Sequence, residues 1–135
     1  MIFAIPLMIV PLAVYNAVAF GLPGFDWDAV VIGVPMVSGA VWEMTAGDLF
    51  ISFAVFVLFL EVLKATRTAS GTIVDHILST MVLIGALIEF LLVGLAATST
   101  FFVFLMIVLV DVIAGFSITI RQARRDFTVG PGGQL

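Results

Sequence analysis

Cysteine is absent, which excludes disulfides, thiolate metal sites and cysteine nucleophiles. A single histidine excludes a multi-histidine metal centre within one chain. Charge is scarce: Asp, Glu, Lys and Arg make up 10% of the residues, against about a quarter in a water-soluble domain. Basic residues number five, and none precedes Lys64. Phosphate-binding glycine loops, a dinucleotide fingerprint, a nucleophile elbow and an H-E-x-x-H metal helix are all missing. No catalytic residue, cofactor or metal ligand set is therefore expected, and the chain reads as non-enzymatic.

What the chain has is apolar length. Hydrophobic residues make up 63% of it and the mean hydropathy is +1.33, so its main solvent is expected to be lipid. Four apolar stretches predict an all-α membrane protein, an antiparallel four-helix bundle with helices at about 2–20, 46–64, 73–97 and 101–121. Together they form one domain over residues 1–126, followed by a flexible cytoplasmic tail at 127–135 containing Gly130-Pro131-Gly132-Gly133. Thr45-Ala46-Gly47-Asp48 reads as a capping box that starts the second helix at Ala46, and Thr72-Ile73-Val74-Asp75 opens the third in the same way. Pro6 and Pro11 should bend the first. Ala17-Val18-Ala19 resembles a signal-peptide cleavage site, but no basic stretch precedes it, so this segment is read as a retained helix.

Between the first two helices, residues 21–45 form an acidic loop holding Asp26, Asp28 and Glu43. The alternation Val30, Ile32, Val34, Met36 and the Ser38-Gly39 pair predict a short β-hairpin, with a re-entrant or surface helix as the alternative. Trp27 and Trp42 flank it and are expected to anchor at the headgroup level. Lys64 and Arg67 fall in the second link, and Arg121, Arg124 and Arg125 follow the last helix. The positive-inside rule then puts both termini in the cytoplasm of a plasma or bacterial inner membrane. These arginines serve topology and lipid headgroups, not nucleic acid.

Ionisable residues inside apolar helices mark sites of function or packing, because a charge at the helix centre costs about 2.5–3.5 kcal/mol on insertion scales. Glu61, Lys64, Asp75 and His76 form a cytoplasmic-side polar cluster. Glu89 and Asp111 lie deeper and are expected to meet as an intramembrane polar pair, either as a structural hydrogen bond or as a proton relay. The pattern of four helices with a long Trp-containing loop after the first resembles the general plan of tetraspan proteins such as claudins. Their W-G-L-W-C-C motif is absent, so no residue role carries over.

Small-residue pairs (Ala13 with Ala17, Gly94 with Thr98, Gly115 with Thr119) and a ridge of Phe50, Phe53, Phe56 and Phe59 suggest packing seams. The expected function is that of an accessory or structural component, acting in the lipid bilayer as a homo-oligomer or within a larger membrane complex. The alternative is a small proton or cation channel or transporter built on the intramembrane carboxylates.

Overall fold

The computed structural model describes residues 5–67 and 72–128. It is mostly helical: α1 (Ile9–Gly21), α2 (Ala46–Arg67), α3 (Thr72–Leu92) and α4 (Ser99–Thr128), with strands β1 (Val30–Pro35) and β2 (Val41–Thr45) between α1 and α2. Three helices, α2 to α4, are long and apolar enough to cross a membrane.

The first helix is shorter than expected. It has 13 residues, about 20 Å at 1.5 Å per residue, against a hydrocarbon core of about 30 Å. Pro11 sets this limit. A proline fits a helix only in the first turn, where its missing N–H had no partner, so α1 begins at Ile9 and not near residue 2. The preceding residues form turns, with Ile9 N–H donating to Pro6 O and Val10 N–H to Leu7 O.

The start of α2 follows its cap. Thr45 N–H donates to Asp48 Oδ2 at 3.0 Å, and Asp48 N–H donates to Thr45 Oγ1 at 3.1 Å, a reciprocal capping box. α3 stops at Leu92, short of the expected residue 97, and a 3₁₀ turn at Gly94–Ala96 leads into α4. α4 runs on to Thr128, past Phe127, where a tail was expected; residues 129–135 lie outside the described residues.

Packing departs from a simple up-down order. α4 packs against both α2 and α3, while α1 lies against α2. Because α2 and α4 both run away from the hairpin end, their contact is parallel, whereas α1 with α2 and α3 with α4 form the expected antiparallel pairs. The buried residues of α2 are Gly47, Phe50, Ala54, Val57 and Glu61, spaced alternately three and four apart. On α4, Phe101, Phe104, Val108 and Asp111 repeat that spacing. This is the seam of a coiled coil, carried by two helices that are not consecutive in sequence. It closes tightly at one end: a Cβ on Gly47 would meet Thr100 Oγ1 and lie 3.1 Å from Trp27 O.

β1 and β2 pair antiparallel, with Val34 opposite Trp42 and Pro35 opposite Val41. The hairpin turn differs from a two-residue turn at Ser38-Gly39. Met36 N–H donates to Ala40 O at 2.8 Å, leaving a three-residue connection in which Gly39 has φ +90°, a conformation that disfavours any side chain. The hairpin is pinned to the bundle by Gly47 N–H donating to Trp27 O and Ala46 N–H to Ala29 O.

Candidate functional site

Polar groups concentrate at two levels of the bundle. At the hairpin end, the chain's one tyrosine, Tyr15 of α1, is fully buried. Its hydroxyl donates to Leu95 O at 2.9 Å and lies 2.8 Å from Thr98 Oγ1. Its ring stacks on Trp27 at 4.5 Å with an interplanar angle of 3°, and Phe50 and Phe101 meet it edge-on. Trp27, expected at the headgroup level, is thus buried against the bundle. Burial follows from the short loop between α1 and β1, which folds the indole back over Tyr15. Trp42, on β2, remains exposed.

Glu89 belongs to this hairpin-end level. Its Oε2 accepts from Asn16 Nδ2 at 3.2 Å, a link between α1 and α3. The expected Glu89–Asp111 pair is not formed. On the α3–α4 ladder His76 faces Phe116 and Phe90 faces Phe102, so Glu89 is level with Val103. Asp111 lies roughly eight residues farther along, about 12 Å at 1.5 Å per residue. The non-helical segment after Leu92 shortens α3 and shifts the whole ladder, which defeats the leaning of the two side chains toward each other.

Asp111 instead joins the other level, at the Lys64 end. There Glu61 and Lys64 of α2, Asp75, His76 and Ser79 of α3, and Asp111 of α4 border a cavity of about 30 Å³. Glu61 is buried and engaged: its Oε2 accepts from Leu7 N–H at 2.9 Å and its Oε1 lies 3.3 Å from Lys64 Nζ. Lys64 Nζ also donates to Ile5 O at 2.8 Å. The Glu61–Lys64 pair therefore clamps the segment that leads into α1, placing a carboxylate where that helix's free amides begin. Asp111 is 5% exposed, and its Oδ2 has no hydrogen-bond partner. Both ring nitrogens of His76 are likewise buried and unpartnered, while the ring edge packs on Phe116 at 3.9 Å. Gly115 makes room for the imidazole, since a Cβ there would lie 3.6 Å from His76 Nδ1.

Polar side chains of α3 and α4 among the described residues thus share a cavity near Lys64. Among the described residues, no group of three or more His, Asp or Glu is placed to hold a metal ion. Arg67, Arg121 and Arg124 are exposed beyond this end of the helices, and Arg125 lies on the same last turns of α4. Of the small-residue pairs, Ala13 and Ala17 face outward, whereas Thr98 and Gly115 take part in the contacts above. Of the phenylalanine ridge, Phe50 alone turns inward. Tyr15 and Asn16 were not singled out from sequence; a polar side chain in an apolar helix is the signal that marks both.

No family model, curated protein or solved structure matches the chain.

Proposed function

We propose that the protein is a non-enzymatic, four-pass membrane component that works by assembling with copies of itself, its hairpin forming the contact outside the cytoplasm. Four crossings are supported by the course of the first segment. It is held by Glu61 and Lys64 at Leu7 and Ile5, and by Leu95 and Thr98 at Tyr15, so it runs nearly the full height of α2 despite its short helix. The clustering of Lys64, Arg67, Arg121, Arg124 and Arg125 at one end supports a cytoplasmic position for that end, in a plasma or bacterial inner membrane.

The observation that carries the assembly reading is the hairpin. Val30, Val31, Ile32, Val34, Met36, Val41 and Trp42 are all exposed, although they lie on both faces of the two strands. Each strand also leaves one edge of backbone N–H and C=O groups open. An isolated two-stranded hairpin is marginal in water, so this one gains by pairing with another strand or by covering its faces. A second copy supplies both in one step through an isologous contact. A proton relay through Glu89 and Asp111 is not part of this reading, because those carboxyls stand at different levels.

The cysteine-free sequence allows a direct test. Val34→Cys in native membranes is expected to give an oxidised dimer, whereas Ile73→Cys at the opposite end gives none. Monomers at Val34→Cys, together with single-step photobleaching of labelled protein in bilayers, would overturn the proposal.

A further inference from the structure

The cavity at the Lys64 end plays no part in that assembly, yet it is the most unusual chemistry in the molecule. A carboxylate oxygen and an imidazole, both withdrawn from solvent, border one small space without partners. Buried polar groups left unpaired are costly, and native folds rarely keep several together without a use.

We propose that this cavity is a binding site for one proton, held between Asp111 of α4 and His76 of α3 and exchanged through a water-sized space bordered by Ser79. The groups around it decide the occupant. From α2, Glu61 is already committed to Leu7 N–H and to Lys64, and Lys64 to Glu61 and Ile5 O. From α3, Asp75 is half-buried at the border and His76 projects toward Gly115 of α4. From α4, Asp111 supplies the one carboxylate oxygen that is both nine-tenths buried and unpartnered. The first segment contributes only backbone groups, Leu7 N–H and Ile5 O.

Asp111 Oδ2 and the His76 imidazole are a poor ligand set for a metal cation, and among the described residues no group of three His, Asp or Glu is placed to hold one. Hard cations take several oxygens, and imidazole suits transition metals that need further nitrogen or sulfur donors. A proton needs only those two groups. With Asp111 protonated, its O–H donates to the intervening space and His76 is neutral. With the proton on His76, the imidazolium and the Asp111 carboxylate stand as opposite charges on the same cavity, bridged by its guest. The volume of about 30 Å³ admits a water-sized guest to bridge the two forms. Between these states the net charge of the cavity is constant, although the second state separates it into one buried anion and one buried cation. Release to the Lys64 side leaves the cavity one charge more negative.

The test uses the full chain in liposomes. Infrared difference spectra are recorded over about pH 5 to 8, the range in which histidine chemistry operates, alongside nitrogen NMR of the imidazole. Because the chain has one histidine, the NMR signal belongs to His76 without assignment. The expected result is a protonated-carboxyl stretch that titrates with the same midpoint as the imidazole nitrogens. Asp111→Asn abolishes that stretch. His76→Gln moves its midpoint by at least one pH unit, about tenfold in proton affinity, and Glu89→Gln leaves it in place.

Should Asp111→Asn fail to fold, the shared midpoint in the unaltered chain still decides. An imidazole that titrates with no carboxyl change would overturn the proposal. So would a carboxyl band that survives Asp111→Asn, or one displaced by sodium at constant pH.

Discussion

The two ends of the bundle solve the same problem in opposite ways. At the hairpin end the Tyr15 hydroxyl is bonded to Leu95 O and Thr98, and the Tyr15 and Trp27 rings are stacked within an aromatic cluster. At the Lys64 end Asp111 and His76 are buried around a cavity with polar atoms unmatched. A bonded hydroxyl within an aromatic cluster makes a rigid, stabilising unit, whereas unmatched polar groups store a cost that a ligand or a water can remove. The Tyr15–Trp27 cluster is therefore the stabilising feature of the hairpin end, where Asn16 Oδ1 is the buried atom left unpartnered, and the unmatched Asp111 and His76 are the distinctive feature of the Lys64 end.

The largest effect expected from this contrast is that of Trp27→Ala. It empties the stack on Tyr15 and should cost about 3–5 kcal/mol, read as loss of resistance to SDS unfolding in bicelles. A cost below about 1 kcal/mol would break the comparison at its strongest point. Next comes Gly47→Ala, whose Cβ would crowd Thr100 Oγ1 and Trp27 O and force α2 away from α4. Overpacking of this kind costs about 1–3 kcal/mol; thermal unfolding in mild detergent should show it as a lowered midpoint.

A finer probe is Tyr15→Phe, which keeps the ring but deletes the hydroxyl that meets Leu95 O and Thr98. A loss of about 1–2 kcal/mol is expected, measurable by steric trapping. The smallest change, and the one of opposite sign, is Asp111→Asn. Replacing a carboxyl whose Oδ2 is buried and unpartnered removes a desolvated acid while keeping an amide of the same shape, so stability should stay level or rise by up to about 1 kcal/mol. Destabilisation by Asp111→Asn as large as that of Tyr15→Phe would mean that both ends are structural, and the contrast would fail.

How far the fold was legible tracks how local each determinant is. The Thr45–Asp48 box lies within four consecutive residues, and α2 begins where it says. The hairpin was legible in the alternation from Val30, but its turn was not, because the Met36–Ala40 bond selects a three-residue connection over the Ser38-Gly39 pair. The length of α1 was misread because hydropathy sees only apolar content, whereas Pro11 acts through a single missing amide hydrogen.

Tertiary pairing was least legible. In water the buried face of a helix stands out as apolar; here the lipid-facing residues are apolar too, so the Gly47–Phe50–Ala54–Val57–Glu61 seam is hidden among equals. Phe50 and Glu61 of that seam stood out in the sequence, but as members of a phenylalanine ridge and a polar cluster and not as one face. The Glu89–Asp111 pairing failed for the same kind of reason: the level of each acid depends on where α3 unwinds. Trp27 was placed by a general preference of indoles for the interface, which the aromatic partner Tyr15 outweighs.

One consequence belongs to mechanics. Thr45 is at once the last residue of β2, opposite Val30, and the cap of α2, so no slack separates hairpin from helix. The 22 residues of α2 form a rod about 33 Å long. Tilting that rod by about 5° at the hairpin swings its far tip by about 3 Å, the length of one hydrogen bond. The far portion carries Glu61 and Lys64, which grip Leu7 and Ile5. Whatever levers the hairpin on one side of the membrane thereby pulls on that grip at the other, with the helix as a crowbar and Thr45 as its welded handle.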